Sequence, residues 1–278
     1  MTSNIKGELT DFVPPKVMGI LNITPDSFYE GSRKQTEKEI AERVVQIVEE
    51  GAGIIDVGGY SSRPSAAYVD EIEEMKRLTY GLEVLFREAP DAVVSVDTFR
   101  SETARRCVEN FGVAIINDIS AGALDGHMFE TVARLQVPYI AMHMQGSPQT
   151  MMEHTDYADL MREILMYFAE KVNLLHQAGV NDVWIDPGFG FSKTTAQNYR
   201  ILDRLEEFHI FGLPLLAGFS RKTMIREVLA TSAAESLNGT TGLNMFALTK
   251  GAHILRVHDV KEAVQTVRLY QQIKNANQ

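Results

Sequence analysis

The sequence predicts an α/β fold of the (β/α)8 barrel type, and three observations carry that prediction. Eight short apolar runs recur along the 278 residues, with helical patterns between them. Each run reads as buried on both faces, as parallel strands covered by helices should be. No Pro/Gly/Ser-rich linker, low-complexity segment or repeat divides the chain, and barrels of this type commonly run to about 250 residues as one domain. Residues 1–278 therefore read as a single domain with its core over about 17–274. A doubly wound open sheet is the alternative, weakened because no G-x-G-x-x-G follows an early strand.

The strand runs are 17–21 (VMGIL), 54–57 (IIDV), 93–96 (VVSV), 113–116 (VAII), 138–142 (PYIAM), 183–185 (VWI), 214–217 (PLLA) and 253–257 (HILRV). Helical patterns occupy 36–50, 70–88, 101–110, 126–135, 157–178, 195–206, 220–230 and 261–274. The first is expected to be capped by Thr36 and stopped by Gly51.

Composition narrows the classes. With 45% hydrophobic and 23% charged residues the chain is an ordinary globular protein. Its apolar runs are far shorter than the roughly 20 residues that span a bilayer. The opening MTSNIKGELTDF lacks the apolar segment of a secretory signal. The single cysteine, Cys107, excludes an internal disulfide and a cysteine-based zinc site. A cytoplasmic location follows as the expectation. The net charge of −10 argues against nucleic acid or an anionic membrane as partner. An anionic ligand would need cations gathered locally.

In a barrel the functional site lies at the C-terminal ends of the strands. Here each end carries a polar group: Asn22, Asp56, Asp97, Asn117–Asp118, His143, Asp186, Ser220–Arg221–Lys222, and Arg256 with His258. Asp and Asn are common in turns and caps taken singly, but caps do not require eight consecutive strand ends. Carboxylates and amides suit a flat heterocycle rich in N–H donors, such as a 2-amino-pyrimidinone edge. Arg63, Lys222, Arg256 and His258 suit an anionic tail. Arg256 and His258 alternate on one strand and point the same way, fitting a phosphate or pyrophosphate, although pairing with local acids such as Asp259 is the plainer alternative. His143 reads as a packed histidine rather than a metal ligand, Cys107 as inert packing, and Trp184 as core or as support beneath the site. The glycines of DPGFGFSK are expected to turn Phe189 and Phe191 towards the barrel mouth. That segment lacks the P-loop spacing.

Taken together, MGILNITPDSF, DVGGYSSRPSA, SVDT, NDIS, MHMQGSPQTM, DPGFGFSK, LLAGFSRK and GAHILRVHDV resemble the dihydropteroate synthases, in that family's order and from Val17 to about Val267. The resemblance implies a (β/α)8 barrel. It also implies joining 6-hydroxymethyl-7,8-dihydropterin pyrophosphate to p-aminobenzoate, with Mg2+ and in a homodimer. It assigns Asp97, Asn117, Asp186 and Lys222 to the pterin, and Ser62, Arg63, Arg256 and His258 to the pyrophosphate. Asn22 goes to the metal, and Phe28, Pro64, Phe191, Ser220 and Thr223 to p-aminobenzoate. Asp97, Asp186, Lys222, Arg256 and His258 would carry the chemistry. Tyr60, Ser62, Ser65, Ser192 and Thr223 depart from the common family pattern. Rival readings are a pterin-dependent corrinoid methyltransferase, which has no use for the SRK and RVHD cations, and a catalytically silent pterin-binding homologue.

Overall fold

The computed structural model describes residues 1–23, 33–61 and 68–276, with side chains in the first helix described from residue 36. An antiparallel hairpin comes first, β1 (Thr2–Ile5) and β2 (Glu8–Asp11). It turns on Lys6 and Gly7, both at positive φ, 53° and 86°, which is the backbone a two-residue hairpin loop demands.

The eight anticipated strands follow: β3 (Lys16–Asn22), β4 (Ile54–Gly58), β5 (Val94–Asp97), β6 (Ile115–Asp118), β7 (Tyr139–Met142), β8 (Val183–Asp186), β9 (Leu216–Ala217) and β10 (Ile254–Val257). They form one parallel sheet in the order β8-β7-β6-β5-β4-β3-β10-β9. A bridge between Ile185 and Leu215 joins its two ends, with Ile185 N donating to Pro214 O at 2.9 Å. The sheet thereby closes into the expected barrel.

The helices are α1 (Arg33–Glu49), α2 (Glu71–Glu88), α3 (Ser101–Phe111), α4 (Met128–Leu135), α5 (Leu160–Ala178), α6 (Thr195–Asp203), α7 (Thr223–Leu229), α8 (Leu237–Thr249) and α9 (Val260–Asn275). Side-chain oxygens satisfy the first amides of several: Asp70 accepts from Glu73 N at 2.8 Å, and Thr194 with Gln197 forms a capping box on α6. Two expectations change. Helix α1 begins at Arg33, so Thr36 lies inside it rather than at its cap. Helix α6 ends at Asp203, and a 3-10 segment over Leu205–Phe211 completes that connection. Among the described residues, no helix is long and apolar enough to cross a membrane.

Alternation along each strand divides the interior. Val17, Leu21, Ile55, Val57, Val94, Val96, Ile116, Ala141 and Ile185 face outward into the core beneath the helices. Met18, Ile54, Ile115, Ile140, Trp184, Leu216 and Ile254 fill the floor of the barrel, and Ile5 and Phe12 of the N-terminal segment close it from below. The Phe12 and Trp184 rings meet edge to face at 5.2 Å. Trp184 Nε1 donates to Ser3 Oγ at 3.0 Å, and Ser3 Oγ donates to Asp182 Oδ1 at 2.8 Å. Trp184 thus belongs to the floor, where its indole N–H finds the partner a buried indole requires.

Candidate active site

Above this apolar floor the inward positions become polar. The register sets Asp56 beside Ser95, and Asp97 beside Asn117. Arg256, rising from β10, crosses the barrel: its Nε donates to Asp56 Oδ2 at 2.6 Å and its Nη2 to Asp97 Oδ2 at 2.8 Å. Asn117 Nδ2 donates to the same Asp56 oxygen at 3.1 Å. Asp56 is fully buried. Its other oxygen, Oδ1, and the Ser95 hydroxyl are buried with no hydrogen-bond partner among the described residues. Asp56 is therefore the anchor of Arg256, a role sequence reading left unassigned.

The neighbouring Asn117 and Asp118 part company. Asp118 turns away from the barrel axis and takes hydrogen bonds from Tyr139 Oη at 2.6 Å, Ser120 N at 2.7 Å and Gly122 N at 2.8 Å. It braces the loop after β6.

On the opposite wall, Asp186 Oδ1 accepts from Gly188 N at 2.8 Å. Gly188 has φ +72°, and a Cβ there would sit 2.1 Å from His143 O, so only glycine fits between β8 and the end of β7. Lys222 Nζ donates to Phe189 O at 2.5 Å and lies 4.6 Å from the centre of the Phe191 ring, close enough for a cation–π contact. Phe191 joins Ile119, Met142, Met144, Met151 and Phe99 at the mouth, as anticipated. Phe189 does not. It packs outward against Phe219, ring centres 5.3 Å apart, because Gly190, at φ +80°, turns the chain between the two rings.

Burial raises the Asp97 carboxyl to about 7, opposed first by Arg256. It lowers the Lys222 ammonium to about 8, opposed by Asp186. Asp186 is likewise pushed up by burial and drawn back by Lys222. The site is a largely buried, mixed set of acids and bases whose charges face one another, the condition in which electrostatics act strongly on a bound ligand.

Further side chains support the site, among them Lys193, which the sequence did not single out, and His143, packed as expected. Lys193 is fully buried, with Nζ 2.9 Å from His143 Nδ1 and donating to the carbonyls of Phe191 at 2.9 Å and Gly188 at 3.0 Å. His143 is held as a packed, hydrogen-bonded ring, edge to face with Tyr167. Ser192 stands at positive φ, 51°. Its hydroxyl donates to Gln145 O and accepts from Gln145 N, both at 2.8 Å, which offsets the strain where the family often has glycine. Tyr60, another departure, takes a hydrogen bond from Gln149 Nε2 at 2.6 Å, and its ring lies 5.3 Å from that of Phe99.

At the rim, His258 N donates to Ser220 Oγ at 3.2 Å. Asn22 ends β3 exposed, its Oδ1 lying beside Gly58. Thr223 opens α7. Arg221, beside Lys222, points away and pairs with Asp259. Phe28, Ser62, Arg63, Pro64 and Ser65 lie outside the described residues. No group of three or more His, Cys, Asp or Glu side chains that could hold a metal ion occurs among the described residues. A cavity of about 540 Å³ opens beside Asn22 and His258.

Comparison with known proteins places the chain in a family. Residues 18–258 match the family described as pterin binding enzyme. Dihydropteroate synthase of Escherichia coli (strain K12) is 41% identical over 275 residues, spanning 98% of this chain and 96% of that protein. The Yersinia pestis dihydropteroate synthase in a sulfonamide drug complex superposes with a TM-score of 0.91 at 37% identity, over 99% of this chain and 100% of that one. Xanthomonas albilineans dihydropteroate synthase with 4-aminobenzoic acid gives 0.89 at 34%, over 98% of each.

Proposed function

From the premise that the chain belongs to the pterin binding enzyme family and, within it, to the dihydropteroate synthases, we propose how its residues carry that reaction. The observation that carries the reading is the meeting of Asp97, Asp186, Lys222 and Arg256 at the strand ends, with Arg256 held between Asp56 and Asp97. Asp97, Asn117, Asp186 and Lys222 hold the dihydropterin, the carboxylates taking its ring N–H and exocyclic NH2 groups. Arg256 and His258, with Ser62 and Arg63, hold the pyrophosphate. Phe191, Ser220 and Thr223, with Phe28 and Pro64, receive p-aminobenzoate. That a Xanthomonas albilineans neighbour was solved with 4-aminobenzoic acid supports this choice of acceptor.

The bond between the pterin methylene carbon and the pyrophosphate oxygen breaks, its electron pair leaving with the pyrophosphate. Arg256 and His258 meet the growing negative charge. Asp97 and Asp186 offset the positive charge spread into the ring. The aniline nitrogen then bonds to the methylene carbon and loses a proton to solvent. The donor set fits Mg2+ delivered with the pyrophosphate: Asn22 offers one neutral oxygen, and Mg2+ is commonly bound through few protein ligands plus phosphates and water. When bound, the metal neutralises the leaving group.

The proposal extends to a homodimer, supported by exposed Val228, Leu229, Phe246, Leu269 and Ile273 on the neighbouring helices α7, α8 and α9. A cytoplasmic location is supported by the single, buried Cys107. The test is incubation of the purified protein with 6-hydroxymethyl-7,8-dihydropterin pyrophosphate, p-aminobenzoate and Mg2+. Dihydropteroate and pyrophosphate should form in equal amounts. Pterin binding without product would favour a silent homologue, and methyl transfer from methyltetrahydrofolate to a corrinoid would favour the methyltransferase reading.

A further inference from the structure

The 540 Å³ cavity extends the site in an unassigned direction. It runs outward between α1 and the start of α9, and is bounded by Asn22, Arg43, Arg221, His258 and Asp259, with Glu39 at its rim. Its volume lies within the roughly 300–1,000 Å³ usual for small-ligand sites. Asn22 and His258 belong both to this cavity and to the proposed pyrophosphate site, so the two spaces adjoin.

The cations lining it differ in how their charge is used. Arg221 makes a two-pronged contact with Asp259, at 2.9 and 2.5 Å. Arg43 instead donates to two neutral acceptors, Gln46 Oε1 at 2.9 Å and His258 O at 2.5 Å. Burial lowers the Arg43 guanidinium from its ordinary value, opposed by the more distant Glu50 and Asp259, so an anion at this point would relieve a charge already poor in solvent. Glu39 is exposed, and its opposing charge is screened by water. In a chain of net charge −10, a guanidinium kept against a backbone carbonyl, on the wall of a cavity that adjoins an anion site, is well placed to receive phosphate oxygens.

Resting on the functional reading above, we propose that Arg43 is an outer phosphate contact: the cavity accepts the distal phosphate of the pyrophosphate group and forms the way out for the released product. Arg43 also ties the carbonyl of His258 in place, so the residue carrying the inner contact and the residue carrying the outer one are joined by a single hydrogen bond. Orthophosphate offers a single phosphate, which Arg256 and His258 would hold, whereas pyrophosphate carries a second that can extend towards Arg43.

Calorimetric titration with inorganic pyrophosphate and with orthophosphate, each with MgCl2, tests this in wild type, Arg43→Gln, Arg43→Lys and Arg256→Ala. Arg43→Gln should weaken pyrophosphate about tenfold, as expected for loss of one charge-assisted contact, and orthophosphate less than twofold. Arg43→Lys should recover most of the loss. Unchanged pyrophosphate affinity in Arg43→Gln, while Arg256→Ala weakens it, overturns the outer contact and leaves the functional reading intact. Equal losses for both anions in Arg43→Gln also overturn it, because Arg43 would then act only through the His258 carbonyl. Unaltered pyrophosphate binding in Arg256→Ala overturns the reading of the site itself, and the proposal with it.

Discussion

Replacing Asp56 by Asn tests the central brace of the site. The change keeps shape and removes the charge that Arg256 Nε meets at 2.6 Å in a fully buried position. Removing one partner of a buried ion pair generally costs about 3–5 kcal/mol, because the other charge is left uncompensated. Arg256 keeps Asp97 at 2.8 Å, and the new amide oxygen can still accept one hydrogen bond, so the loss should be smaller, about 2–3 kcal/mol. Equilibrium urea unfolding should show the midpoint lowered by about 1 M at unchanged slope. A cycle with Arg256→Met should give a coupling of about 2 kcal/mol, since the two residues touch. A coupling below about 0.5 kcal/mol would mean that Asp97 alone holds Arg256, and the account of Asp56 as its anchor would be wrong.

Other outcomes follow from the same geometry. Asp97 must be ionised to take two ring donors and Lys222 protonated to donate. With the first raised to about 7 and the second lowered to about 8, kcat/KM for the pterin substrate should peak between those values and fall on both sides; a flat profile from pH 6 to 9 would contradict these assignments. Asp186→Asn should weaken pterin binding by about 1.5–3 kcal/mol in calorimetry, the worth of a hydrogen bond to a charged group, and unchanged affinity in the folded variant would remove Asp186 from the pterin set. Gly188→Ala would force a Cβ against the His143 carbonyl at positive φ, so a loss of at least about 2 kcal/mol is expected; a wild-type melting curve would show that the β8 and β7 ends do not pack as described.

What was legible in the sequence follows from how local each signal is. The eight barrel strands stood out because parallel strands covered by helices are apolar on both faces, and the polar residue ending each run marked the site. Helix α8, LNGTTGLNMFALT, went unread: it holds two glycines and no side-chain cap. The first hairpin was missed because its strands are four residues each and one of them is largely exposed, although Gly7 was a usable turn signal. The supports at the site are the harder case. Asp56 meets Arg256 across 200 positions, and Lys193 meets His143 across 50, so nothing in either neighbourhood announces the pairing. Phe189 was placed at the mouth because residue types alone do not reveal which way a glycine turn faces.

The hairpin under the barrel has a bearing on the order in which the molecule assembles. It precedes every barrel strand in the sequence, yet the surface that receives Ile5 and Phe12 draws on strands from Met18 to Ile254, and Ser3 finds Asp182 only across 179 positions. A seat built from strands so far apart in the chain is complete only late, and contacts of long separation form slowly. The sole tryptophan, Trp184, lies in that seat against Phe12. Its fluorescence therefore follows the closing of the ring as a whole, and makes the first dozen residues a built-in reporter of when the last strand has arrived.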